Sequence, residues 1–402
     1  MLIVRRKVET VGLVAVLTLG IVLSGCSFSS QVSSEHTTKL VSAITTTSST
    51  VTLVPASTNC LSSVDIGKWS DGRLASQMIA ISSEVGTLAN ISQAVRDGVG
   101  GVVLMGYGSS PALKAELAKM RSLVLNGVPP LVMTDEEGGG IQPLSALVGS
   151  MPWPRMMAKT MSPGQVESLT YRVGQALRSI GVNMDLAPVV DLDAGPGPSK
   201  TNPDGSRSFS ADPTVADRYA KAFAAGLEKA GVIPVLKHFP GLGGASGNTD
   251  FTSAHTVPYS SLLRGGLIPF QRLVSTAKVV MVSNASIPGL TGGTPSSLSP
   301  TAIQMLRNVV GFNGVIVSDS LETISISSFQ PDLAKAVVAS AVAGVDLVML
   351  ASSNPNQLPT YQRAKRALVR AIATGVLPRD AAEASVGRIL ALKGFAPSCI
   401  YY

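Results

Sequence analysis

Residues 165–193 read QVESLTYRVGQALRSIGVNMDLAPVVDLD. Apolar residues recur at helical spacing from Gln165 to Ile180, a glycine interrupts, and a near-continuous apolar run from Asn183 to Leu192 ends beside Asp191 and Asp193. An amphipathic helix followed by an apolar strand is one repeat of a parallel sheet covered on both faces. Seven further apolar runs follow the same rule: Gln77–Ile81, Gly101–Gly106, Pro130–Thr134, Ile233–His238, Lys278–Ser283, Gly314–Ser318 and Asp346–Leu350. Between them, Asp212–Ala230, Ser260–Ser275 and Pro300–Val310 carry helical periodicity. Eight strand-and-helix units predict an α/β fold of the TIM-type (β/α)8 barrel, a single catalytic domain over residues 60–402. A doubly wound dinucleotide fold is disfavoured, because no G-x-G-x-x-G follows a first strand and opens a helix. The run Gly195-Pro196-Gly197-Pro198-Ser199-Lys200-Thr201 lacks the glycine before its lysine that a phosphate loop requires, and its prolines remove amide donors.

The chain has 402 residues, 45% of them apolar and 14% charged, a globular balance. A formal charge of +7 raises the question of nucleic acid. The Lys and Arg are scattered beyond the N-terminus and aromatics are only 4%, too few for stacking on bases, so no nucleic-acid partner is expected. An anionic membrane or wall surface suits the excess better.

The first residues, MLIVRRKVETVGLVAVLTLGIVLSGC, have a basic start, an apolar stretch from Val11 to Leu23 and small residues before Cys26. They read as an export signal. The ending Leu23-Ser24-Gly25-Cys26 resembles the lipobox of bacterial lipoproteins. That resemblance implies a signal peptide over residues 1–25, cleavage before Cys26, lipid on its sulfur, and a protein held on the outer face of the cytoplasmic membrane or cell envelope. The alternative is an uncleaved anchor, which leaves the rest of the chain on the same side. Residues 26–59 are rich in Ser and Thr and read as a tether. With Cys26 lipidated, Cys60 and Cys399 remain as an even pair in an oxidising compartment, and a disulfide between them is expected, free thiols being the alternative.

In a barrel, chemistry sits at the C-terminal strand ends. The polar residues there are Asp135-Glu136-Glu137, Asp191, Asp193, Lys237-His238, Asn284 and Asp319. Adjacent Glu136 and Glu137 on a strand would face opposite sides, a poor arrangement for a metal, and no metal or cofactor is expected. A glycosidase needs one carboxylate as nucleophile, a separate proton donor, and hydrogen bonders for sugar hydroxyls.

Thr134-Asp135-Glu136-Glu137-Gly138-Gly139, Arg207-Ser208-Phe209, Lys237-His238-Phe239-Pro240-Gly241 and Val317-Ser318-Asp319 resemble, in order and spacing, the motifs of glycoside hydrolase family 3. With no second sandwich domain following, the likeness is to the single-domain bacterial β-N-acetylglucosaminidases of wall recycling, lipoprotein members included. The resemblance implies Asp319 as the nucleophile and Asp135, Arg207, Lys237 and His238 as the residues that hold the terminal sugar. It implies action on peptidoglycan-derived glycans; a monomer is expected, although no residue pattern speaks to the oligomeric state.

Two departures stand out. Where the family carries arginines after its Asp-Glu-Glu-Gly-Gly motif, this chain has Gly140 and Pro143. Where relatives read G-H-G and then an Asp-x-His dyad with the histidine as acid/base, this chain reads Gly241-Leu242-Gly243 and then Asn248-Thr249-Asp250. Asp250 can replace the histidine if burial near Asp319 keeps it protonated, and Asn248 can support it without adding charge. His255, five residues on, is the rival acid/base, and a barrel that binds sugar without cutting it is a third reading. A carboxylate in this place repels phosphate, so hydrolysis is expected rather than phosphorolysis. Another family 3 specificity, such as β-glucosidase, uses the same machinery and stays open at this point.

Overall fold

Nine strands and intervening helices appear among the described residues of the computed structural model, which are residues 65–395 apart from 107–109 and 126. All belong to the unit Thr58–Tyr402. The expected signal peptide and tether, with Cys26, Cys60 and Cys399, lie outside the described residues. No helix among the described residues is long and apolar enough to cross a membrane.

The strands are β1 (Ile79–Glu84), β2 (Gly101–Met105), β3 (Leu131–Thr134), β4 (Met184–Asp185), β5 (Ile233–Pro234), β6 (Leu236–Phe239), β7 (Val279–Val282), β8 (Val315–Ser318) and β9 (Val348–Leu350). They form a six-stranded sheet of order β5-β4-β3-β2-β1-β9 and a three-stranded sheet β6-β7-β8. Every ladder is parallel. Isolated parallel bridges join the sheets, Val317 to Leu347 and Val189 to Lys237.

Alternation along the strands sorts side chains into two cores. In β2, Val102 and Leu104 pack into the larger core with the helices, while Val103 enters a smaller one; in β8, Ile316 and its neighbours Val315 and Val317 divide in the same way. The smaller core collects residues from every part of the sheets, among them Ala80, Met133, Met184, Val235, Met281 and Met349. Its upper end is where the strand-end polar residues begin.

Several sequence expectations shift in detail. The first strand starts later than Gln77, because Gln77 closes a helix (Asp71–Gln77) opened by Ser70, whose Oγ caps the Arg73 N–H. Of the run Asn183–Leu192 only Met184–Asp185 is a strand. Pro188 has no N–H to give a ladder, and the chain instead bonds irregularly, Val235 N–H to the Ala187 carbonyl and Val190 N–H to that of Lys237. The helix expected over Ser260–Ser275 is two short ones, Tyr259–Leu262 and Leu267–Leu273, parted at Gly265-Gly266. That over Pro300–Val310 passes from α-helix (Pro300–Gln304) into a π-turn (Met305–Val309). The helix Pro163–Ile180 is as expected, with a Ser162/Gln165 capping box at its start and Gly181 in the left-handed region at its end.

Candidate active site

The ends of β3, β6 and β8 place Asp135, Lys237, His238 and Asp319 around one cavity of about 270 Å³. Arg207, from the segment after β4, and Asn248, Thr249 and Asp250, from the loop after β6, complete its wall. Met105, Met281 and Met349 line it too, the last two belonging to the smaller core. Lys237 and His238 are neighbours in sequence yet both line the cavity. The register of β6 against β7 shifts between Leu236 and Phe239, and such an irregularity re-aims side chains that strict alternation would part.

Glu137 organises the cationic side. Arg207 gives it two parallel bonds, Nε to Oε2 and Nη2 to Oε1, each 2.8 Å. Lys237 Nζ lies 2.6 Å from both Glu137 Oε1 and Asp135 Oδ1. Burial pushes the Glu137 carboxyl up, but Arg207 and Lys237 outweigh it and hold the group well below the carboxylate range. Burial likewise disfavours the Lys237 cation, and Asp135 and Glu137 reverse this and raise it. Two carboxylates and two cations thus form a hydrogen-bonded set around a buried centre, Lys237 at 2% and Glu137 at 1% exposure, with Asp135 and Arg207 at its partly exposed edge. Glu136 and Glu137 follow the end of β3 at Thr134 and are both buried, but they serve different surroundings: Glu137 takes Arg207 and Lys237, whereas Glu136 takes the Leu144 N–H.

A second network holds His238. Its Nδ1 donates to Asp191 Oδ2 at 2.6 Å, and the backbone N–H groups of His238 and Leu242 also point at Asp191. That leaves Nε2, 3.3 Å from Arg207 Nη2, to accept from the guanidinium. Burial raises Asp191, and His238 with these N–H groups outweighs it, leaving the carboxyl lowered. Asp204 is fully buried with neither oxygen hydrogen-bonded, and burial, then Asp191, push it well above the usual range. Asp191, Asp204 and His238 have atoms within 4.8 Å of one another, the spacing of a metal site. Their commitments describe a proton-linked set instead: Asp191 is spent on N–H donors, and Arg207 stands at the free face of the imidazole.

Two more buried acids lie behind the motif. Burial pushes Glu136 up to about 7, although Leu144 N–H binds its Oε1 at 2.6 Å. Asp185, itself raised well above the usual range by burial and by Glu136, accepts from the Glu136 N–H. One oxygen of each has no partner.

Asp319 sits half-buried at the end of β8, its N–H on the Val282 carbonyl at 2.8 Å and its Oδ1 accepting from Ser320 N–H at 2.7 Å. Asn284 fixes this turn from beneath, donating to the Ser320 carbonyl at 2.6 Å and accepting from Ser297 Oγ. Asp250 is exposed at the mouth, where the crowding walls and then Asp319 raise its carboxyl. Asn248 Oδ1 accepts the Asp250 N–H at 3.0 Å, so it fixes the backbone rather than the carboxyl. His255 does not join them: it lines a separate pocket with Ser286 and Phe329. The glycine-rich opening of the loop is tightly seated, since a Cβ on Gly243 would fall 1.8 Å from the Leu192 carbonyl oxygen.

The sequence placed Glu137 and Asp191 among the strand-end polar residues without a particular function for either, and Asp204, which follows no run at all, was missed. The signal for the first two was there; for Asp204 there was none.

The chain belongs to glycosyl hydrolase family 3: the "Glycosyl hydrolase family 3 N terminal domain" matches residues 76–392. Among its relatives is the protein named beta-hexosaminidase LpqI of Mycobacterium tuberculosis, 37% identical over 312 residues, 75% of this chain and 77% of that one. A crystal structure of a family 3 glycosyl hydrolase from Mycobacterium smegmatis superposes with a TM-score of 0.75 at 31% identity, covering 82% of this chain and 99% of that one. The beta-N-acetylhexosaminidase of Beutenbergia cavernae gives 0.73 at 27% identity, covering 81% and 99%.

Proposed function

We propose that this protein is a retaining exo-glycosidase that removes terminal β-linked N-acetylglucosamine from cell-wall-derived glycans. The observation that carries it is that Asp319 and Asp250 line one sugar-sized cavity together with Asp135, Arg207, Lys237 and His238. The names of its relatives supply the sugar.

In the first step an Asp319 oxygen attacks the anomeric carbon, the bond to the leaving oxygen breaks, and Asp250 gives that oxygen its proton. In the second, ionised Asp250 takes a proton from water, the water oxygen bonds to the anomeric carbon, and Asp319 departs. The walls and then Asp319 raise Asp250, which favours the protonated form that this first step uses. Asp135, Arg207, Lys237 and His238 hold the sugar's hydroxyls. The Lys237–Asp135 pair and the bonds of Arg207 and Lys237 to Glu137 and of His238 to Asp191 pre-orient them, so little ordering is left for binding.

The fold read this way is a closed (β/α)8 barrel. Supporting it are the bridges between the two sheets, the near-continuity of β5 and β6 across Val235, and the inner core to which both sheets contribute. Export and lipid attachment at Cys26, with a tether through residue 59, complete the proposal on sequence grounds; radiolabelled palmitate entering wild type and not Cys26→Ala tests it.

The decisive experiment is hydrolysis of a panel of aryl β-glycosides by wild type and Asp319→Ala. Release from the N-acetylglucosaminide, lost at least about a thousandfold in the variant, is expected. Release from no sugar, or undiminished release by Asp319→Ala, overturns the reading. Added phosphate leaves turnover unchanged if water is the acceptor.

A further inference from the structure

Every ladder is parallel and the cavity lies at the C-terminal strand ends, so a helix that leaves a strand brings its own C-terminal end to the opposite face. That opposite face is cationic. Arg96, Lys119, Arg121, Arg178 and Lys229 stand in the last turns of the helices Ser92–Arg96, Leu113–Ser122, Pro163–Ile180 and Pro213–Lys229, which lead into β2, β3, β4 and β5. Arg370 stands in the last turn of Leu358–Ala373, the helix that returns after β9. All six are exposed, and none is in an ion pair with another described residue. The acids of the strand-entry segments are matched already: Glu228 to Lys278 at 3.5 Å, Asp97 to Lys365 at 2.7 Å, and buried Asp346 to both Arg307 and Arg388 at 2.7 Å. Asp380, beside Arg379, adds one exposed acid.

Cations at helix C-termini answer the helix dipole, and that would account for their position. It does not account for what stands among them. Leu125 is 73% exposed ahead of β3, Val309 52% ahead of β8, and Val376 58% just past Leu358–Ala373. Bare apolar side chains set among unpaired cations suit a lipid surface, because the cations attract anionic headgroups and the apolar groups enter the boundary with the acyl chains. The first described residues reach the domain on this side too. Arg379, three residues beyond Val376, donates to the Trp69 carbonyl at 2.6 Å and pairs with Asp71.

We propose that the face opposite the cavity docks on anionic phospholipid, so that the mouth opens away from the membrane. The inference takes from the functional reading only the export and lipid attachment that bring the domain to a bilayer; the sugar chemistry does not enter it. The mouth offers no comparable cationic surface, since Arg207 and Lys237 are committed to Glu137. An enzyme held in this way draws glycan ends from the aqueous side, not sugars carried on lipid in the same membrane.

The test reconstitutes the full-length mature protein into vesicles of phosphatidylcholine, alone or with about 30% phosphatidylglycerol, and follows backbone hydrogen exchange. Residues 121–130, 305–312 and 371–378 should exchange at least about threefold more slowly on the anionic vesicles, and the difference should shrink at about 0.5 M salt. The slowing should be lost in Arg178→Glu/Lys229→Glu and in Leu125→Ser/Val376→Ser, with unfolding temperature and aryl-glycoside release as in wild type, because these side chains are exposed and stand at the other end of the strands from the cavity. Equal exchange on both kinds of vesicle overturns the docking. So does slowing at the mouth instead, in residues 248–256 and 322–330, where Phe251, Ile324 and Phe329 are exposed. Equal slowing by soluble polyphosphate without vesicles overturns lipid as the partner. Palmitate incorporation and aryl-glycoside release are read on the same preparation, so failure of the anchor or of the glycosidase reading is seen apart from failure of the docking.

Discussion

Arg207 lays two arms of its guanidinium on the carboxylate of Glu137, and the same carboxylate takes the ammonium of Lys237. Glu137 is thus the shared counter-ion of two cations from different parts of the chain. Removing its charge strands both in a nearly dry site. Glu137→Gln is expected to cost about 3–5 kcal/mol of stability, read as a lower urea midpoint. In the surviving folded fraction KM for the aryl glycoside should rise, since Arg207 and Lys237 lose their orientation.

Asp250 offers a test that separates an acid from a structural residue. Asp250→Ala should lose about 100- to 10,000-fold on a substrate with a poor leaving group, and much less on a dinitrophenyl glycoside, which needs no proton. Because the carboxyl is raised and acts in its protonated form, kcat/KM in wild type falls as pH rises through its folded value. That alkaline limb should be absent from the residual activity of Asp250→Asn. A variant with the wild-type limb, or with equal losses on both substrates, refutes the assignment.

Glu136 links stability to pH in the opposite sense from its neighbour Glu137. Pushed up to about 7 in the folded protein, it binds a proton that the unfolded chain gives up near its ordinary value of 4.5. The folded state therefore holds more protons in that window, and stability is lost as pH rises from about 4.5 to about 7. At about 1.4 kcal/mol for each pH unit, the effect is on the order of 3 kcal/mol. Glu136→Gln should flatten this decline, gaining on wild type between pH 5 and pH 7.5 in paired urea titrations.

Asp204 is raised for similar reasons and carries no hydrogen bond to either oxygen. Asparagine fills the same space, cannot ionise, and can donate to Asp191. Asp204→Asn should unfold at a higher temperature than wild type above neutral pH, with the advantage growing as pH rises. Activity should persist, since Asp204 does not line the sugar cavity. A variant less stable at every pH would show that the carboxyl has a partner of its own.

The repeat of helix and apolar strand was legible because burial on both faces of a sheet writes itself into local composition, as residues 165–193 illustrate. The residues that meet at the cavity were legible for a related reason: Asp135, Lys237, His238 and Asp319 each sit at the end of such a run. Legibility failed where position depends on contacts distant in the chain. His255 and Asp250 are five residues apart and equally suited to acid/base work by type, yet a bridge to Ser286 turns His255 into the neighbouring cavity.

The sequence by itself determined the alternation of elements, the strand-end location of the polar residues and the family motifs, because all of these are local patterns fixed by hydrophobic period and residue order. Only the tertiary structure decided which charges pair. Glu137 with Arg207 are seventy residues apart, and Lys237 with Asp135 a hundred and two. Coulomb energy and desolvation depend on separation in space and on the water that folding expels, and neither can be read along a chain.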